Sequence, residues 1–412
     1  MKSVLGMSAA TLLPGIVAAA LLSAPVRADV VTEWNMTTGA LVANDVGNNP
    51  RLRTLAMVHV AMSDAINTVH NRYTRVVATL PVAPGASAEA AAATAARQIL
   101  VQIYPARKDK IEEAYAVSLK AIPEGPARDE GIKLGMAIAD AVQADRANDG
   151  TSAPDTYRPH TAPGVYVPTT PPIWEQYARA KPWVLKSADQ FRPGPPPALS
   201  SAEWARDYNE VKSLGGTKST ARTAEQTEAV RFWENINFGP SWQAAARELA
   251  LKQDMPLAEC ARLFALLNMS LANAYIVNWD AKYTYNFWRP VTAIRNGDRD
   301  GNDATERDAG WASFNPTPMH PEYPSQATIN ATIASEILES VFGPVKTIPF
   351  IATDVRDAKR TRQFASLADM AEEQKNVRGW GGVHYRFAIR TSEDVGRKVA
   401  AYMMENTLKP AR

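Results

Sequence analysis

Five side chains in three short segments carry the chemistry that this sequence offers. Lys282 and Arg289 sit in a Lys-x6-Arg-Pro segment, Ser325 in Tyr323-Pro324-Ser325-Gln326-Ala327, and Arg378 and His384 in an Arg-x5-His segment. A guanidinium is a rigid fork and an ammonium a point charge, and the two together suit a phosphate-like group. On one continuous helix, the spacing from Lys282 to Arg289 places both cations on the same face, about 10 Å apart along the axis. Ser325 follows a proline and precedes a helical pattern, so it reads as an N-cap. The free amides of Gln326 and Ala327 at that helix start would then face an anion. His384 closes a glycine-rich loop, 379–383, in which backbone can approach a ligand closely. Its imidazole suits acid–base work or a bond to a metal or phosphorus centre. Each segment alone has a plain alternative: cations solvated or paired with acids such as Asp280, an ordinary cap, a loop histidine without a role. Together they describe a pocket for a tetrahedral oxyanion.

The elements that must position these groups read as helices throughout. Leu55, Val58, Met62, Ile66 and Val69 recur at helical spacing over 51–70. Further helical patterns cover 86–103, 107–121, 127–147, 201–213, 222–236, 239–252, 257–288, 326–342, 353–376 and 392–408. Gly343 stops the 326–342 pattern, and Thr391-Ser392-Glu393-Asp394 looks like the capping box that opens the last helix. Residues 30–50 read as polar and irregular, and no strand of useful length is visible. The expected fold class is all-α, a helical bundle in a single domain over 29–412. Eleven prolines fall within 149–200, interleaved with Trp174, Tyr177 and Trp183. This predicts an ordered loop draped over the helices, with the aromatics as packing anchors or as part of a pocket wall.

Residues 1–28 carry Lys2, an apolar run from Val4 to Leu22 and a small-x-small Val26-Arg27-Ala28 site, the pattern of a cleaved secretory signal. Export to the periplasm or medium is the expectation, with no stable membrane insertion after cleavage, since no other segment looks apolar enough to span. The chain has 45 Lys+Arg and 43 Asp+Glu. Without Lys2 and Arg27 the charges balance, so nucleic acid is not expected as a partner and any attraction for anions must be local. The only cysteine is Cys260, which excludes an internal disulfide. Oligomeric state is not readable.

The three segments resemble the vanadium-dependent haloperoxidases and their relatives, the bacterial acid phosphatases and type 2 phosphatidic acid phosphatases. That pattern is Lys-x6-Arg-Pro, Pro-Ser-Gly-His and Ser-Arg-x5-His. The stretches 53–67, 192–200, 281–295 and 381–387 extend the resemblance, towards the bacterial secreted branch of the haloperoxidases. It implies a helical bundle that holds vanadate, with phosphate as the competing oxyanion. Lys282, Arg289 and Arg378 would bind the oxygens, Ser325 and the Gln326 region would hydrogen-bond them, and His384 would bond to vanadium. The substrates implied are hydrogen peroxide and a halide, bromide before chloride. The alternatives are a phosphoester cleaved through a phospho-His384 intermediate, and a non-catalytic anion-binding relative. The chain departs from the pattern at three positions. Gln326 replaces glycine, Val377 replaces serine, and Ala327 stands where the acid–base histidine is expected. A methyl group delivers no proton, and a positioned acid–base group is worth about 10²–10⁴-fold. His320, seven residues earlier, matches a second histidine of the algal bromoperoxidases and is the candidate substitute.

Weaker signals complete the reading. The acidic run Asp298 to Asp303 lacks the glycine of a calcium loop at its sixth position and reads as a solvated turn. His59 and Asp64 lie on an apolar helix and read as satisfied core polar groups.

Overall fold

The computed structural model describes residues 29–411 except 44–47, 169, 236–237, 345–349 and 355–356, so the expected signal segment lies outside the described residues. Thirteen α-helices are present among those described. They are α1 (Val30–Val42), α2 (Asn48–His70), α3 (Ala88–Ile103), α4 (Lys108–Lys120), α5 (Pro126–Arg146), α6 (Ala202–Leu214), α7 (Ala224–Asn235), α8 (Phe238–Lys252), α9 (Leu257–Tyr285), α10 (Pro290–Arg295), α11 (Gln326–Phe342), α12 (Leu367–Trp380) and α13 (Arg386–Asn406). The larger of two apolar clusters among the described residues runs from Val30 to Leu408, with α9 as its spine packed by α2, α11 and α13, and the smaller gathers Trp204, Phe287, Trp288, Tyr323 and Tyr385 beside the candidate site. Contrary to the sequence expectation, α9 is long and apolar enough to cross a membrane, but nearly all of it is buried against other helices. It is the central helix of a protein core.

Four local readings are corrected. Residues 30–42 form a helix, because Asp29 caps it by accepting from the Thr32 amide at 2.8 Å, and Val31, Trp34 and Leu41 share a buried face. The 353–376 stretch is not one helix. It begins as an antiparallel hairpin of β1 (Phe350–Asp354) and β2 (Asp357–Phe364), and α12 starts only after Ser366, whose hydroxyl accepts from the Asp369 amide. The last helix starts at Arg386, not Ser392. The Ser392 hydroxyl points back to Ala388 O within the helix and leaves the capping-box pattern unused. Asp300 is buried, accepting from Trp204 Nε1 at 2.8 Å and from Thr305, so the acidic turn is partly a structural plug.

Described residues of the Pro-rich loop are held against α9 by polar contacts. Trp183 is buried, its backbone exchanges two hydrogen bonds with Asn273 of α9, and the Arg146 guanidinium lies 3.6 Å over its ring. Arg192 makes a two-pronged ion pair with Asp280 at 2.6 and 2.7 Å, which ties the far end of the loop to α9 beside the candidate site.

Candidate functional site

Lys282 lies in the last turn of α9, and the chain then breaks instead of continuing as helix. Asn286 takes a left-handed conformation (φ 45°), and Phe287 pairs with Val165 of the Pro-rich loop. Pro290 holds the preceding Arg289 in extended backbone (φ −76°, ψ 154°), where it caps α10. The two cations therefore do not share one helix face. They converge because the break turns Arg289 back, while the 320–325 loop fills the space between them.

That loop supplies the acceptors. Lys282 Nζ donates to the carbonyls of Pro321, Glu322 and Pro324 at 2.7, 2.7 and 2.6 Å. An ammonium has three protons, so none is left for an oxyanion in this arrangement. Arg289 donates through Nε to His320 O (2.9 Å), through one terminal nitrogen to Val383 O (2.8 Å) and through the other to His320 Nδ1 (2.9 Å). The nitrogen that reaches Val383 also stands 3.4 Å from His384 Nε2. Arg289 thus lies between the two histidines.

His384 is placed by the turn after α12. Gly382 takes φ +77° and packs so tightly on Gly215 that a side chain there would collide with Gly215 O. Arg378, in the last turn of α12, contributes its carbonyl to the His384 amide at 3.3 Å. The other imidazole nitrogen, Nδ1, lies 2.7 Å from Glu322 Oε1, which also accepts from the Tyr385 amide at 3.1 Å. Glu322 was not anticipated from the sequence. The only signal was a charged residue wedged between Pro321 and Tyr323, in a loop otherwise read as a connection.

Ser325 caps α11 without the expected side-chain bond to the helix amides. Its hydroxyl accepts from Thr328 at 3.0 Å and keeps its own proton to donate, while its amide donates to Ser392 Oγ at 2.7 Å. No acceptor among the described residues takes the amide protons of Gln326 and Ala327. The Gln326 side chain turns along the helix to Asn330 Oδ1 at 2.9 Å, and its own carbonyl oxygen is buried without a partner among the described residues. Ala327 is buried at the second position of α11. His320 meets Trp279 edge-on, with ring centroids 4.7 Å apart, and the buried Trp279 indole N–H has no acceptor among the described residues.

The electrostatics follow from burial. Lys282, Arg289, Glu322, Ser325 and His384 are almost fully excluded from solvent. Burial, reinforced by the neighbouring cations, pulls the Lys282 ammonium well below its usual range; burial pulls Arg289 to about 10. Arg378 is also lowered to about 10, by burial and by the charge of Arg289. His320 and His384 are held well below the ordinary imidazole range by burial, then by Arg289 and Lys282, and so stay neutral near pH 7. Burial raises the Glu322 carboxyl to about 7 against the opposing pull of Arg289 and Lys282. Three cations that destabilise one another, faced within the cluster by one carboxylate, form a site that an added anion would stabilise. A separate concavity of about 610 Å³, lined by Met36, Leu41, Arg107 and Lys110 among others, shares no residue with this cluster.

Residues 262–411, which carry all of this machinery, match the family model of the VCPO second helical-bundle domain. That match covers little more than a third of the chain, and over it the chain is similar to the vanadium haloperoxidases. The vanadium chloroperoxidase of Curvularia inaequalis is 25% identical over 183 residues, which is 37% of this chain and 29% of that relative's length. A bacterial vanadium-dependent iodoperoxidase shares the fold with a TM-score of 0.76, 23% identity and coverage of 94% of this chain and 99% of the other. A bacterial vanadium-dependent chloroperoxidase in its holo form does so with a TM-score of 0.73, 18% identity and coverage of 93% and 98%. The vanadium haloperoxidase fold is therefore that of nearly the whole chain.

The donor set suits vanadate. His384 offers Nε2 with Nδ1 already engaged, Arg289, the Ser325 hydroxyl and the first amides of α11 offer protons to oxygens, and Arg378 adds positive charge beside His384. Among the described residues no group of three His, Cys, Asp or Glu could hold a bare metal cation. These residues fit an oxyanion centre with a single protein ligand.

Proposed function

We propose that this protein is an exported, vanadate-dependent peroxidase that uses hydrogen peroxide to oxidise a halide, bromide in preference to chloride. The observation that carries the reading is the cluster of buried Lys282 and Arg289 and half-buried Arg378 around the buried His384 imidazole, with Glu322 as the carboxylate that meets the imidazole. When bound, vanadate supplies a Lewis-acidic centre that activates peroxide towards a halide. The chain's own residues do the rest. Arg289 and Arg378 hold negative charge, Ser325 and the amides of Gln326 and Ala327 orient oxygens, and His384 Nε2 is the protein ligand.

Proton delivery is the weak step. Ala327 supplies no proton. His320 accepts from Arg289 at Nδ1 and is kept neutral first by burial and then by the charges of Arg289 and Lys282, so it offers no imidazolium at neutral pH. The expectation that His320 takes over from the missing histidine is thus opposed by its surroundings. Its place beside Trp279 suits it better to lining the approach of a small anion. The wild-type enzyme should bind vanadate well and turn over slowly near neutrality.

The test is peroxide-dependent bromination of a diketone acceptor after loading with orthovanadate, alongside hydrolysis of an aryl phosphate by vanadate-free protein. Vanadate-dependent bromination supports the reading. Aryl phosphate hydrolysis without any bromination would replace it with a phosphatase using His384 as nucleophile.

A further inference from the structure

Lys282 and Glu322 are joined to the same short loop, and neither contact is what an anion ligand needs. The Lys282 ammonium sits in a crown of three carbonyls, one of them that of Glu322 itself (2.7 Å). The Glu322 amide donates to Phe287 O at 2.9 Å, so this residue is fixed from both sides of its backbone. Its carboxylate is wholly buried, and Oε1 is identified as an acceptor because the Tyr385 N–H points at it. With Glu322 ionised, the nitrogen of His384 that meets the same oxygen at 2.7 Å is the protonated one, and Arg289, which can only donate, faces the other nitrogen. The proton on Nδ1 leaves Nε2 bare, on the side where Arg289 stands 3.4 Å away. A carboxylate behind a ligating imidazole fixes ring orientation and tautomer together.

We propose that Lys282 and Glu322 form a positioning pair. The Lys282 ammonium clamps the 320–325 loop, and the Glu322 carboxylate on that loop holds His384 as the Nδ1–H tautomer with Nε2 bare. Lys282 on this account is a clamp and not an anion ligand. The inference deepens the vanadate reading, because a bare Nε2 is what a bond to the oxyanion centre requires, but it concerns the vanadate-free protein and can be measured there.

The experiment is nitrogen-15 NMR of histidine-labelled, anion-free protein, with the His384 signals assigned by their loss in His384→Gln. The same variants are then titrated with orthovanadate. In the wild type, His384 shows a protonated Nδ1 and an unprotonated Nε2. Glu322→Leu shifts the ring to the Nε2–H tautomer or to a mixture, and weakens vanadate binding about 10–100-fold. Glu322→Gln, whose carbonyl can still accept from Nδ1–H, restores most of the Nδ1–H signal. Lys282→Met perturbs the His384 signals in the same sense as Glu322→Leu, before any vanadate is added. Lys282→Arg keeps the charge but cannot place three protons at one point; it guards against failure of the methionine variant to fold, and it too should disturb the tautomer. The proposal is overturned if His384 is the Nε2–H tautomer in the wild type. It is also overturned if the lysine variants lose vanadate affinity while the His384 signals stay as in the wild type, which is the signature of a direct ligand. Absence of vanadate binding in the wild type would instead overturn the functional reading, and the tautomer measurement would still decide the positioning pair.

Discussion

Restoring a histidine at position 327 should raise turnover without a comparable change in anion affinity. Ala327 is the second residue of α11, only 6% exposed, with its amide free of any acceptor among the described residues. An imidazole there starts from the helix end that faces the cluster. The gain expected for a positioned acid–base group is about 10²–10⁴-fold. Against it stands the cost of forcing a ring into a closed site, about 1–3 kcal/mol of overpacking, and a Tm lower by a few degrees. Gln326 is tied to Asn330 and is turned along the helix, so it need not move far to admit the ring. With imperfect placement, Ala327→His should still raise the bromination rate about tenfold or more, from the lower end of that range. Vanadate affinity should change much less, because the cations, the amides and His384 do not depend on the side chain at 327. The assay is initial bromination rate at saturating orthovanadate, with the vanadate dissociation constant measured on the same preparations. A folded Ala327→His protein that binds vanadate and turns over no faster than wild type would refute the reasoning, as would brisk wild-type turnover that His320→Ala leaves unchanged.

Other outcomes follow from single sites. Arg289→Lys keeps the charge but loses the fork that reaches His320 O and Val383 O. Two buried carbonyls are left unpaired at about 1–3 kcal/mol each, and titration should show vanadate affinity reduced more than about tenfold; unchanged affinity would contradict the assigned role. His59 is buried, accepts from Asn35 at 2.8 Å and is depressed to about 3, chiefly by burial. A depressed folded pKa means stability that is complete above about 6.5 and lost as pH falls towards about 3. His320 and His384 act in the same sense, while Glu322, raised to about 7, acts in the opposite sense between about 4.5 and 7. Urea midpoints at pH 7 and pH 5 should therefore show a net loss in the wild type. His59→Leu should reduce that loss by about 2 kcal/mol, and an unchanged pH slope would be wrong for this account. N-terminal sequencing of exported protein should begin at Asp29, the residue that caps α1. Retention of residues 1–28 on membrane-bound material would contradict export.

The helical class and the three charged segments were legible because periodicity and residue type report them locally. The convergence of Lys282 and Arg289 was anticipated for a reason the structure does not bear out. The spacing suggested one helix face, but the left-handed Asn286 and the Val165–Phe287 pairing end α9 first, and no local pattern announces a contact with a loop more than a hundred residues away. Glu322 was missed because its significance lies in a partner 62 residues later. The first helix was missed because its apolar face is narrow and interrupted by Asn35 and Thr38, which are buried polar groups. The starts of α12 and α13 were misplaced for opposite reasons. Ser366 with Asp369 is a real cap that the longer helical reading overran. Ser392 with Glu393 and Asp394 looks like a cap, but Ser392 is already inside a helix, where its hydroxyl accepts from the Ser325 amide.

The central claim is that Arg289, Arg378, Ser325 and the first amides of α11 form an oxyanion cradle closed by His384. A crystal structure of the protein grown with orthovanadate tests it most directly. The account predicts electron density for the oxyanion at bonding distance from His384 Nε2, with contacts from Arg289 and Arg378, and its loss in His384→Ala crystals prepared in the same way. Density elsewhere, or none at His384 in crystals of a protein saturated with vanadate, would contradict it.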